Sequence, residues 1–526
     1  MLRTIVIGLD GANWNLINPW LEGGDLPHLR RLRESGCWGG LESQLPTVTV
    51  PNWKCYSTGK NPGKFGVFRF DRLDLKNGRF VVHNSRSYRS KEIWDYLNRA
   101  GMRTGILNMP TTYPPRPIEG FMVAGGPDAS VTEYRTIEKG YAYPKELEQY
   151  LQEKYQYRVH PDPLMSSKED TGEEVEAILR LIDMRFTVAK DLIVREKLDF
   201  LHLTFFYTNV LQHFFWRGEP VLRAWRMIDR HIGDLLDAHP DINLILMSDH
   251  GSHPVDTVFF INKWLAGEGY LKVSRSIEDL LLTLGITRES LLDVAKKLRL
   301  VSFLQKIVPE KLQRVIPWQE GARKGRVFDK IVLEKTKAIG CILGPIYLSV
   351  DKEVPEYEEL KNDLVSRLEV LTSPLSGRKV AHKVYRAEEV YQGPYLPLAP
   401  DILIEQASGV HISDAVGRGP CFESQGKWEA ENIRSGLFLA HGPDIAGPRR
   451  IDGSRIIDLA PTILHLMDVA VPEDMDGQVL KIFKKGSEPD IRDVRYQESI
   501  GHDSEQGDLE GDEEVIDRLQ SLGYLS

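Results

Sequence analysis

The strongest constraint in this chain is a rhythm: apolar runs of strand length alternate with amphipathic segments of helical period almost from end to end. TIVIGL leads to PHLRRLRESG, SKEIWDYLNRAG to RTGILNM, and EEVEAILRLIDMRFTVAKDLIVREK to DFLHLTFF. VLRAWRMIDRHIGDLLDAH leads to NLILMSD, and YEELKNDLVSRLEVL, DILIE, GLFLAHGP and DLAPTILHLMD continue the pattern. Apolar residues at three- and four-residue intervals make one face of a helix, and short uninterrupted apolar runs make strands buried on both faces. The expected fold class is therefore α/β, a mostly parallel sheet with helices on both faces. At 526 residues the chain exceeds one compact core, so inserted elements are expected. We place the core in residues 1–262 and 336–485, with a Pro-, Gly- and Tyr-rich cap-like segment at 110–172. Residues 263–335 read as a helical insertion, and 486–526 as an acidic tail that ends in a short helix.

In such sheets ligands collect at the carboxyl ends of the strands. Four features sit there. Asp10 ends the first strand, and Gly11 after it allows a sharp turn; a strand-terminal Asp serves equally as a helix cap or as a ligand. Thr49 in LPTVTVPNWKCYSTG stands where a helix could begin. A hydroxyl there is either an N-cap or a group set at the positive end of the helix dipole, beside backbone amides suited to an oxyanion. Asp249 and His250 in NLILMSDHG offer an oxygen and a nitrogen to one cation, or form an exposed loop pair. Asn209 and His213 lie four apart in YTNVLQHFFW, on one face of a helix that starts near Thr208. His213 beside Phe214, Phe215 and Trp216 also reads as a packing histidine.

The ordered set of motifs resembles the alkaline phosphatase superfamily, in particular its type I phosphodiesterase/nucleotide pyrophosphatase branch and that branch's soluble prokaryotic members. The motifs are GLDG, PTVTVPN with STGKNPGKFGVF, YTNVLQHFFWR, SDHG followed by FFINKWL, LAPDILIE, GLFLAHGPDI, and DLAPTILHLMDVAVPEDMDG with a terminal LGYL. The resemblance implies an alkaline-phosphatase-like core with cap elements. It also implies a metal site in which Asp10, Thr49, Asp249 and His250 hold a divalent cation, zinc or alternatively manganese. Thr49 would attack phosphorus and pass through a phosphothreonine. The family's second metal takes an Asp, a His four residues later and a distant His; at these positions the chain has Asn209, His213 and Asn432. Amides add no negative charge, so the second ion is weakened, and one or two ions are expected. Glu429, Glu431, His411 and His253 are candidate replacements, and Lys64 or Arg69 a cationic substitute whose guanidinium could bind phosphate oxygens bidentately.

The expected activity is thus metal-dependent hydrolysis of a phosphodiester or pyrophosphate bond in a small phosphorylated substrate such as a nucleotide conjugate. A phosphomonoesterase, or a degenerate member that binds a phosphorylated ligand or anionic lipid without turnover, is the alternative. A formal charge of -9 argues against nucleic acid as the partner. Residues 286–330 break that balance, with eleven Lys or Arg against five Asp or Glu; they read as a solvated helical face or as a contact with an anionic membrane surface. Four dispersed cysteines, Cys37, Cys55, Cys341 and Cys421, fit a reducing compartment. MLRTIVIGLDG reads as a first core strand rather than a signal peptide. With no apolar stretch near 20 residues, these features lead to an expected cytoplasmic enzyme.

Overall fold

The computed structural model describes residues 2–75, 79–88, 90–127, 140–165, 171–274, 330–417, 419–424, 428–485, 488–490 and 493–501, with residues 518, 519 and 522. The basic stretch, apart from its last residue, and most of the acidic tail lie outside them.

Five strands form the parallel centre of the main sheet, in the order Asn243–Met247, Thr4–Leu9, Phe200–Phe205, Thr104–Met109 and Gly120–Ala124. Thr4 aligns with Phe200 and Leu9 with Phe205, so these neighbours end at one level. Their residues are buried along nearly the whole length. That burial is what uninterrupted apolar runs require, because an alternating strand would leave one polar face to cover. Antiparallel strands extend the sheet: Ser435–His441 joins Asn243–Met247 and carries Cys37–Glu42, and Ala142–Tyr143 joins the opposite edge.

The helices form two layers. Pro27–Ser35, Gly172–Glu196 and Glu219–Ala238 pack together, as do Thr49–Thr58, Ile93–Arg99 and Leu459–Leu466. Local chemistry sets their ends. The Asn13 side chain accepts the Leu16 amide (2.8 Å) at the start of Trp14–Gly23, and Gly24 closes that helix at φ 84°. The fold is the α/β arrangement expected, a mostly parallel sheet with helices packed against it.

A second, smaller core lies beside it. Ala338–Gly340, Pro345–Leu348, Ile402–Gln406 and Ala381–Arg386 form an antiparallel sheet against the helix Pro355–Val370. With Thr257–Phe260 and Val410–Ser413 they enclose their own apolar cluster, including Phe259, Ile339, Leu364 and Ile404. The stretch 336–485 thus contributes to both cores and returns to the main sheet at Ser435–His441. The segment 110–172, expected as a cap, supplies the sheet strands Gly120–Ala124 and Ala142–Tyr143, and its Leu147, Leu151, Tyr157 and Val159 are buried in the main core. Among the described residues no helix is long and apolar enough to cross a membrane.

Candidate active site

Three sheet positions converge at the carboxyl edge. Asp10 follows the first strand, and Gly11 turns the chain at φ 73°. Asp249 and His250 follow the neighbouring strand Asn243–Met247. The helix Tyr207–Phe215 follows Phe200–Phe205 and brings Asn209 and His213. Thr208 ties this helix to the first strand, donating its hydroxyl to the Asp10 carbonyl (3.0 Å).

Thr49 arrives from the side, as the first residue of the helix Thr49–Thr58. Val48 occupies the cap position, so the Thr49 hydroxyl is not spent on capping. It lies 3.4 Å from His250 Nε2. The loop before it is held by Asn52. The Asn52 amide donates to the carbonyls of Gln44 (3.1 Å), Pro46 (3.1 Å) and Val48 (3.0 Å), and its oxygen accepts the Gln44 amide (2.8 Å).

Asp10, Asp249 and His250 are fully buried, and one ligand atom from each lies within 4.8 Å of the others. His250 Nε2 stands 3.6 Å from Asp10 Oδ1 and 3.3 Å from Asp249 Oδ2. Four ligands around a tetrahedral ion at about 2.0–2.2 Å are separated by about 3.3–3.6 Å, which is the spacing seen from His250 to all three oxygens, that of Thr49 included. The ring is in the required tautomer: Nδ1–H donates to the Gly251 carbonyl (3.0 Å), so Nε2 turns its lone pair inward. Asp10 Oδ1 and Asp249 Oδ2 are buried without a hydrogen-bond partner. Buried carboxylate oxygens of this kind call for a cation. The residues therefore fit a borderline divalent metal with nitrogen and oxygen ligands.

Electrostatics agree. Burial raises the pKa of Asp10 well above the ordinary carboxylate value, and repulsion from Asp249 adds to it, against the Trp53 hydrogen bond. Burial likewise raises Asp249, opposed by the Gly11 amide and the Thr49 hydroxyl. Burial pushes His250 down to about 4, so its ring is neutral at ordinary pH and available as a ligand.

The facing half is built differently. His213 donates Nδ1–H to the Ala430 carbonyl (2.7 Å) and stacks on Trp428 at 4.3 Å. Burial pushes its pKa down, and nearby Glu431 opposes this. Asn432, on the same strand Ala430–Ile433, gives its amide nitrogen to the Thr47 carbonyl (2.9 Å) and leaves Oδ1 buried without a partner. Asn209 stands over Gly11: a Cβ there would come within 2.3 Å of Asn209 Oδ1. Three of the candidate replacements, Glu431, His411 and His253, are engaged otherwise. Glu431 holds His411 Nδ1 and the Asn432 amide (2.7 Å), and His253 Nδ1 accepts the Gly409 amide (2.9 Å). Among the described residues, Asp10, Asp249 and His250 are the one cluster of His, Cys, Asp and Glu fit for a metal.

The structure does not bring Arg69 to this group. Its buried guanidinium donates Nε–H to Asp71 (3.1 Å) and Nη1–H to the Ile342 carbonyl (3.1 Å), at the seam with the second core. An adjacent buried carboxylate is a stronger claim on a guanidinium than a distant phosphate site, and Asp71 two residues on was the signal for it. Lys64 is taken by Asp476 (2.6 Å). Sequence reasoning missed Asn52 and also Trp53, whose indole N–H donates to Asp10 Oδ2 (3.1 Å).

A family model described as type I phosphodiesterase / nucleotide pyrophosphatase matches residues 4–427. Among solved structures, the phosphonoacetate hydrolase of Sinorhizobium meliloti 1021 in complex with phosphonoacetate is 14% identical with a TM-score of 0.53, covering 87% of this chain and 94% of its own. Human ectonucleotide pyrophosphatase / phosphodiesterase 5 is 15% identical with a TM-score of 0.48, covering 89% and 95%. No curated protein matches the sequence. At that identity the phosphonoacetate hydrolase speaks for the fold alone, and the family match speaks for the phosphohydrolase class.

Proposed function

The chain belongs to the type I phosphodiesterase / nucleotide pyrophosphatase family, and on that premise we propose that it is a metal-dependent hydrolase of phosphodiester or pyrophosphate bonds with Thr49 as nucleophile. The observation that carries this is the spacing around His250 Nε2: two unpartnered carboxylate oxygens and the Thr49 hydroxyl at 3.3, 3.6 and 3.4 Å. Asp10, Asp249, His250 and Thr49 would hold the cation, zinc in the first instance or manganese. Bound there, a divalent metal lowers the pKa of a coordinated hydroxyl and neutralises phosphoryl charge.

The residues divide the remaining work. Asn52 and the helix start hold Thr49 in place, with its hydroxyl 3.4 Å from His250 Nε2. Thr49 Oγ forms a bond to phosphorus as the bond to the leaving alcohol or phosphate breaks, giving a phosphothreonine. Attack by water then breaks the Thr49–phosphate bond, releases the phosphorylated product and restores the hydroxyl. The substrate is a small phosphorylated compound such as a nucleotide conjugate. With amides at Asn209 and Asn432, the facing half accommodates the substrate as a neutral polar surface, and one metal suffices. Those same two amides favour a second reading, in which the chain binds a phosphorylated ligand without turning it over. A phosphomonoesterase would use the same Thr49 chemistry. A peripheral contact with anionic lipid through 286–330, and a cytoplasmic location, rest on the sequence alone.

The test is turnover of bis-p-nitrophenyl phosphate, p-nitrophenyl phosphate and a nucleotide conjugate by zinc-loaded protein. Thr49→Ala is expected to lower turnover by on the order of a thousandfold or more, as removal of a nucleophile does. Activity that survives the substitution would sink the mechanism. No turnover by either protein, with binding retained, would favour the second reading.

A further inference from the structure

Each metal-facing carboxylate in this site uses only one oxygen toward the cation position. Asp249 Oδ1 accepts the Gly11 amide (3.4 Å), and Oδ2 faces His250 Nε2. Asp10 shows the same division, with Oδ1 toward His250 and Oδ2 held by the Trp53 indole N–H at 3.1 Å. Gly11 is a neighbour in the chain turn, whereas Trp53 comes from the helix that carries Thr49, one turn further along. That link is not accidental packing. Trp53 is fully buried, and a buried indole N–H has one donor and must find one acceptor.

The surroundings fix where that N–H points. A Cβ on Gly8 would lie 2.3 Å from Trp53 Cη2, so only glycine leaves room for the ring above the first strand. On its other side the indole meets Tyr56 and His202 edge-on, with centroids 6.0 and 5.8 Å away. His202 is itself pinned between the Tyr56 hydroxyl (2.9 Å) and the Thr204 hydroxyl (2.7 Å). A fully packed ring with one polar atom directed at one carboxylate oxygen leaves Asp10 no freedom to turn.

We propose that Trp53 is a positioning residue for the metal: its indole N–H occupies Asp10 Oδ2, presents Oδ1 alone to a divalent cation, and couples that ligand to the helix bearing Thr49. The inference rests on the metal site set out under the proposed function. Hydrogen bonds to ligand carboxylates orient them and tune affinity, and their loss weakens metal binding by about 10–100-fold. Without the N–H, Asp10 rotates toward bidentate binding or toward another partner, and the cation and Thr49 lose their common frame.

Replacing Trp53 with 3-(3-benzothienyl)alanine removes the N–H and keeps the ring, and Trp53→Phe is the genetic counterpart. Zinc affinity is measured by competition with a chromophoric chelator, and coordination by the visible spectrum of the cobalt(II)-loaded protein. The benzothienyl protein is expected to bind zinc about tenfold more weakly and to show a changed cobalt spectrum, while its metal-free melting temperature matches the parent. Unchanged affinity and spectrum would overturn the role of Trp53. Loss of affinity in Trp53→Phe alone, with the benzothienyl protein unchanged, would assign the effect to packing and overturn it too. Asp249→Asn is the control for the underlying site: if the parent and this variant bind zinc equally, the metal reading itself fails.

Discussion

At the scale of residues, the site is a set of buried groups whose protonation is set by desolvation and whose relief is a cation. Asp10 and Asp249 hold their protons to higher pH in the fold than in the unfolded chain. Such groups stabilise the metal-free protein at low pH, and that contribution is lost as pH rises through their raised pKa values. Zinc competes for the same oxygens, so its benefit grows as the protons become easier to displace. His250, pushed down to about 4, does not oppose binding until pH falls to that region. The expected outcome is that the gain in melting temperature on adding zinc at fixed free concentration rises from about pH 5 to about pH 8. A gain that is flat or falls across that range would contradict the assignment of these carboxylates as ligands. The legibility of the residues follows the same physics. Asp10, Asp249 and His250 could be found in the sequence because each stands at the end of an apolar strand. Thr49 could be placed beside them only through the resemblance, since a Thr at a helix start reads equally as a cap.

Elements decide how firmly that geometry is held. The segment before the helix Thr49–Thr58 has no regular structure of its own, and Asn52 ties it down with four hydrogen bonds. Asn52→Ala would leave the Gln44 carbonyl and amide to find new partners, while the Pro46 and Val48 carbonyls keep only their backbone donors. It is expected to lower unfolding free energy by about 3 kcal/mol and to reduce turnover while zinc content stays near that of the parent. Denaturant unfolding with metal analysis checks this, and unchanged stability would mean the loop is held by something else. The periodicity of the sequence revealed most of the helices and four of the five strands of the parallel centre, because each pattern repeats within one element; the fifth, Gly120–Ala124, lies in the stretch read as cap-like. Asn52 and Trp53 were not legible by that route. Their partners, Gln44 and Asp10, are outside the element, and nothing in local spacing announces a contact made by tertiary folding. Gly8 was equally silent, since its role is to leave space for an indole 45 residues away.

For the whole molecule, the two cores meet where Arg69 joins Asp71 to the Ile342 carbonyl. The sequence suggested a phosphate ligand at Arg69 because it follows the nucleophile segment; the fold spends it on the seam. Arg69→Met strands the buried Asp71 carboxylate, and breaking such a pair costs about 3–5 kcal/mol. The expected result is a lower melting temperature with unchanged affinity for inorganic phosphate. An unchanged melting temperature with weakened phosphate binding would restore the ligand role. The second core was the least legible part of the fold. Its strands carry the same short apolar runs as the main sheet, and only long-range pairing separates Ile402–Gln406, which joins an antiparallel sheet, from Ser435–His441, which returns to the first. The proposed function turns on the placement of Thr49 against the cation position. The most direct measurement of that claim is acid quenching of zinc-loaded protein in the first turnovers, followed by mass spectrometry of the peptide carrying Thr49. Phosphate on Thr49 that appears with substrate and decays as product forms is the predicted result; steady turnover with no phosphate on Thr49, or phosphate on another residue, would contradict it.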